Sequence, residues 1–126
     1  MTVKTGRTAE PTLSQPWMDA NFAQINIGRN VDDKPMDAFD WSLFKIAVRQ
    51  IADLFKGAST QIIEVEGHGG EWLGVPEDTH LYMILFPLIK DQFIVDHVKE
   101  CLRSVADEFQ QDAIALVFGT SVLVES

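Results

Sequence analysis

Acid/base and ligand-binding residues concentrate in one short stretch, Gly67-His68-Gly69-Gly70-Glu71-Trp72-Leu73-Gly74. An imidazole changes charge near neutral pH, and a neighbouring carboxylate raises its basicity. His68 with Glu71, or with Glu77 a few residues on, could therefore move a proton on a small carbonyl or enolisable substrate. The glycines admit backbone conformations that a Cβ penalises, and functional groups often sit on connections held by a rigid scaffold. The plainer reading is an exposed hairpin tip, where polar residues accompany glycine because the turn requires them. No second group to orient the imidazole is visible along the chain. Acid/base catalysis by His68 with Glu71 or Glu77 thus stands as the alternative to ligand binding by Arg29, His68, Gly69, Gly70, Glu71 and Trp72.

Other chemistries fit less well. His68 and His80 with Glu71, Glu77 or Asp78 would suit zinc or non-haem iron, but their spacing matches no ligand motif and His97 lies far along the chain. No metal and no cofactor is expected. A phosphate loop runs from a strand into a helix with a lysine nearby; here the glycines join strand to strand without one. Arg29, with Trp72 or Trp41 as a stacking plate, offers more to an anionic or nucleotide ligand, although it could equally pair with Asp32 or Asp33. An indole in a glycine-rich turn is costly to leave in water, so Trp72 is expected in a pocket wall or an interface. No serine sits on a nucleophile elbow, and the single Cys101 reads as a small hydrophobe in a helix.

The elements that must position these residues follow from periodicity. Residues 22–28 alternate apolar and polar, as a half-buried strand does. A loop with Asp32, Asp33 and Pro35 follows. Trp41, Phe44, Val48, Ile51 and Phe55 recur at helical spacing over residues 41–56, with Asp40 as N-cap and Gly57 as the stop. Residues 60–66 alternate again, with Ile62 or Ile63 and Val65 inward and Glu64 and Glu66 outward. Residues 79–86 are rich in strand formers and close at Pro87. Ile94, Val98, Leu102, Val105 and Phe109 mark a second helix capped by Asp91. Residues 113–118 read as a last strand, continued by residues 121–124 after a break at Gly119.

The order β-α-β-β-α-β predicts an α+β, ferredoxin-like fold: a four-stranded antiparallel sheet with both helices on one face. The last two main strands are apolar on both alternating sets of positions, which leaves the second sheet face in need of a partner. A homo-oligomer is expected, most simply a face-to-face dimer. Residues 1–20, polar and broken by Pro11 and Pro16, read as a flexible or subunit-reaching arm; residues 21–126 form the single domain.

Composition sets bounds on partners. With 126 residues, 46% of them hydrophobic, the chain can bury one core without staples. A net charge of −9, with only 10 Lys and Arg and no cluster of them, argues against direct nucleic-acid binding. The acidic residues are scattered, which suits solubility and leaves room for a basic protein partner. Lys4 and Arg7 precede no apolar run, and the run over residues 81–89 contains Pro87. Neither a secretory signal nor a membrane span is therefore expected, and the setting reads as cytoplasmic.

Four short features are similar to those of a bacterial family of small ferredoxin-like proteins of unknown function. They are Ile27-Gly28 ending the first strand, Asp40-Trp41 with Phe44 at the helix entry, Gly70-Glu71-Trp72 followed by Glu77-Asp78-Thr79, and Ser121-Val122-Leu123. The resemblance spans roughly residues 22–124. It implies the same fold and transfers no activity. The family has a single Gly-x-Trp, whereas His68 and Gly69 precede it here.

Three function classes follow. The first is a non-enzymatic oligomeric module holding a small molecule or partner protein near residues 67–74, for which size and acidity also suit an inhibitor protein of phage or mobile-element type. The second is the small enzyme described above. The third is an assembly subunit using its N-terminal arm.

Overall fold

In the computed structural model, which describes residues 20–55, 61–85 and 92–120, the alternating first segment forms β1 (Phe22–Gly28). Ala23, Ile25 and Ile27 point into the core, while Phe22, Gln24, Asn26 and Gly28 take the other face. The loop expected next is a small ribbon, β2 (Asn30–Val31) paired with β3 (Lys34–Pro35). Asp32 and Asp33 turn it at φ 50° and 67°, left-handed values that Asp tolerates better than most residues.

Helix α1 (Ala38–Ala52) begins earlier than its apolar period suggested. Asp37, not Asp40, is the N-cap: its carboxylate accepts the Asp40 N–H at 2.8 Å. A 3-10 turn (Asp53–Phe55) finishes the helix. The expected stops and caps at Gly57, Pro87 and Asp91, the strand over residues 121–124, and residues 1–19 of the arm lie outside the described residues.

Strands β4 (Gln61–Trp72) and β5 (Val75–Leu85) form a long hairpin, then come α2 (Gln92–Glu108) and β6 (Ala115–Gly119). The sheet order is β4-β5-β1-β6, antiparallel throughout. This is the predicted ferredoxin-like α+β arrangement. Gly119 is part of β6 rather than a break; the Phe22 ring lies where a Cβ on it would be.

One core joins the inner sheet face to both helices. Phe44, Val48, Val95 and Val98 pack on Ile25, Tyr82 and Ile84. Phe44 stacks on Phe109 at 4.9 Å and meets Trp41 edge-on at 6.0 Å. The opposite face carries Ile63, Val65, Leu81, Met83 and Val117 beside Gln24, Asn26 and Thr79, because paired residues share a face.

Two expectations for β4 are corrected. Glu64 and Glu66 pair with Tyr82 and His80, so they lie on the helix side, whereas Val65 is 42% exposed on the open side. The reason is electrostatic: Lys45 and Arg49 of α1 reach Glu66 and Glu64, each at 2.6 Å. The glycine stretch, moreover, is mostly strand. β4 continues through it with a register shift between Gly67 and Gly70, and the turn falls on Leu73 and Gly74 at φ 51° and 84°. Gly67 and Gly70 are small because Thr79 lies over them; a Cβ on either would sit 2.6 Å from its side chain.

Candidate functional site

Where β1 stops, the open sheet face deepens into a cleft of about 570 Å³. Its floor is Asn26, Gly28, Thr79 and Leu81, the tip of the long hairpin supplies Glu71, Trp72 and Glu77, and the β2–β3 turn adds Asp32 and Asp33. The segment before β6 closes the rim with Gln110, Gln111 and Asp112. Among the described residues, five carboxylates line this space and no Lys or Arg does. Such a wall favours a ligand of net positive charge and disfavours phosphates and other net anions. Trp72, 47% exposed, presents an indole that can stack on a flat ring or face a cation.

Glu77 is the most firmly placed acid of the cleft. Its carboxylate fills the space beside Gly28 that a Cβ there would take. The Asn30 N–H donates to its Oε2 at 3.0 Å, and the Asn30 side chain donates to the Pro76 carbonyl at 3.0 Å. On the other side of Glu77, the Arg29 N–H donates to the Asp78 carbonyl at 2.9 Å. Residues 28–30 thus grip residues 76–78 one by one. Gln111 adds a bond from its side-chain amide to the Asn30 carbonyl at 3.1 Å, tying the rim to the same point.

The expected site residues separate into two groups. Glu71, Trp72 and Glu77 meet at the cleft, whereas His68 and Arg29 do not line it. His68 is 76% exposed by side chain and places Nδ1 3.2 Å from Asp78 Oδ1, so its observed acid partner is neither Glu71 nor Glu77. Arg29 likewise meets Asp78, at 3.4 Å, rather than Asp32 or Asp33, and its Nε donates to the Met36 carbonyl at 2.8 Å. Strand alternation explains the split, since Glu77 and Asp78 are neighbours pointing to opposite faces. Gly69 has open space around its Cβ position and Gly70 packs on Thr79. Gly28, Asn30, Gln111 and Asp112 escaped the sequence reading. Their only local sign is that Gly28 and Asn30 flank Arg29 at a strand end.

His80 is buried on the helix side, away from the cleft. Its Nε2 lies 3.0 Å from Glu64, and its Nδ1 is 3.5 Å from Glu66 without a hydrogen bond. Burial opposes ionisation of Glu64, but hydrogen bonds from His80 and Arg49 outweigh it and hold the carboxyl below its ordinary range. The Lys45 hydrogen bond likewise lowers Glu66. Burial pushes the Tyr82 phenol up, and its O–H donates to the Lys45 carbonyl at 2.6 Å. These groups pin α1 to β4 and β5. Among the described residues no group of three His, Cys, Asp or Glu is placed to hold a metal ion, and no helix is long and apolar enough to cross a membrane.

No family model and no curated relative matches the chain. Among solved structures it is similar to a phage SAM (S-adenosylmethionine) lyase in the apo state, at 15% identity and a TM-score of 0.50, over 85% of this chain and 90% of that one. A phage SAM lyase in complex with S-methyl-5'-thioadenosine matches at 14% identity and a TM-score of 0.48, over 84% and 90%. At these identities the likeness is one of fold.

Proposed function

We propose that the acidic cleft binds a small cationic nucleoside, with S-adenosylmethionine as the ligand to test first. The observation that carries this reading is the lining supplied by the described residues: five carboxylates, no basic side chain and one exposed indole around about 570 Å³. That volume suits a nucleoside-sized molecule. S-Adenosylmethionine combines a flat base, which Trp72 can stack, with a sulfonium, which Glu77 and Glu71 can neutralise. The fold shared with a phage SAM lyase supports the choice and makes a phage-type role the natural setting.

The corresponding reaction class is cleavage of a carbon–sulfur bond without added water. In that step the bonding pair goes to sulfur, the sulfonium becomes a neutral thioether, and the carbon fragment closes internally or loses a proton. Positive charge at sulfur disappears as the bond breaks. Carboxylates near sulfur therefore bind and orient the ground state. Where the carbon fragment is lost by elimination, one of them takes the released proton; where the substrate's own carboxylate closes on that carbon, no proton is released and their role is to orient it. Glu77 is the acid held most firmly for either task. The apolar remainder of the open face, with Ile63, Met83 and Val117, supports self-association beside the cleft.

Incubation with S-adenosylmethionine, followed by chromatography for a thioether nucleoside, tests the reaction. Product from the wild type and none from Glu77→Gln is expected. Binding without product would leave a binding module and remove the lyase. Light scattering of the same samples tests association: an oligomer that Val117→Glu dissociates is expected, and a monomeric wild type would reject it.

A further inference from the structure

Resting on the proposed role of Glu77, we infer that Arg29 is a positioning residue for that carboxylate and not a ligand contact. Its side chain, 25% exposed, spans two anchors on the helix side of the sheet: the Met36 carbonyl at 2.8 Å and the Asp78 carboxylate at 3.4 Å. Its backbone bonds the same two residues, N–H to the Asp78 carbonyl and carbonyl to the Met36 N–H, both at 2.9 Å. Four contacts therefore fix residue 29 between Met36, just ahead of α1, and Asp78, the end of the 76–78 segment. The residues on either side of Arg29 then have one place to go. Gly28 faces the Glu77 carboxylate and Asn30 donates to it at 3.0 Å.

The brace works across the sheet because consecutive residues alternate faces. Arg29 and Asp78 close on the helix side, while Gly28, Asn30 and Glu77 meet near the cleft. His68 adds a second cationic partner to Asp78 at 3.2 Å when protonated, but it is largely exposed and contributes little. Arginine suits this place because its planar fork can address a carbonyl and a carboxylate together, which an ammonium does less well.

A double-mutant cycle separates positioning from general stability. Affinity for S-adenosylmethionine is measured by calorimetry in the wild type, Arg29→Ala, Glu77→Gln and the double variant, alongside hydrogen exchange at the Asn30 amide. Arg29→Ala is expected to weaken binding about five- to tenfold and to speed Asn30 exchange, with neither effect recurring in the Glu77→Gln background. Full recurrence of both losses there would mean that Arg29 acts on the fold at large and would overturn the inference. Arg29→Lys is expected to resemble Arg29→Ala; wild-type affinity and protection would mean that charge alone matters, and would overturn it as well. Should the wild type fail to bind, the functional reading fails, and the Asn30 exchange cycle alone decides for or against the brace.

Discussion

The Glu77 carboxylate occupies the volume that a β-carbon at position 28 would need. Gly28 is therefore small because the neighbouring strand sends an acid across it, and the acid is ordered because position 28 is small. The Asn30 N–H completes the cradle with a bond to Oε2. A side chain held this way meets a ligand without first surrendering rotamer freedom.

Gly28→Ala should expel Glu77 from its cradle and leave the sheet standing, since the group that must move is the flexible end of a glutamate. Loss of about 1–2 kcal/mol of stability is expected, at the low end for overpacking. Ligand affinity should fall as far as in Glu77→Gln. Calorimetric binding with a parallel denaturation curve checks both; intact affinity would mean that the cradle does not matter.

Trp72 gives a cleaner separation of binding from folding because it is half exposed at a hairpin end. Trp72→Ala should leave the melting temperature nearly unchanged and weaken binding by about 1–2 kcal/mol, the range of a partly desolvated cation–π or stacking contact. Trp72→Phe should recover part of the loss. Quenching of indole fluorescence by ligand in the wild type provides a second readout.

The fold was legible because its signals are local. β1 shows its alternation in residues 22–28, and the stripe Trp41, Phe44, Val48 and Ile51 announces α1 and its buried face. The glycine stretch misled, because three glycines look like a loop, whereas here two of them make room for Thr79 within a strand. Glu64 and Glu66 misled for a related reason: alternation fixes that they share a face, not which face, and Lys45 and Arg49 decide it from another element. Glu71 and Trp72 could be singled out by type. The grip of residues 28–30 on residues 76–78 spans nearly 50 positions and has no local signature.

Acid should loosen the contact between α1 and the sheet. Glu64 and Glu66 both titrate below the ordinary glutamate range in the folded protein. Their ion pairs therefore contribute in full above that range and are lost as pH falls through the lowered values. Because both acids are over a third exposed, each is worth under about 1 kcal/mol after screening. Denaturation curves between pH 6 and 3 should show falling stability, and Glu64→Gln should be less stable at pH 6 yet flatter below pH 4.5. Parallel curves would contradict this assignment.

Tyr82→Phe tests the same layer without changing charge or shape. The phenol is fully buried and its O–H satisfies the Lys45 carbonyl. Removing the donor takes away one hydrogen bond and leaves that carbonyl its place in the helix ladder, for an expected loss of about 1 kcal/mol by chemical denaturation. A neutral result would mean that water replaces the hydroxyl.

The most direct measurement is a pair of calorimetric titrations, S-adenosylmethionine and S-adenosylhomocysteine, into the 126-residue protein. The two ligands share the base, the sugar and the amino acid, and differ by a methyl group and the positive charge at sulfur. Binding of the sulfonium at least about tenfold tighter than the thioether, a difference of about 1.4 kcal/mol, with the preference lost in Glu77→Gln, is the expected result. Equal affinity for the two ligands, or no heat from either, would contradict a cleft built to receive a cation.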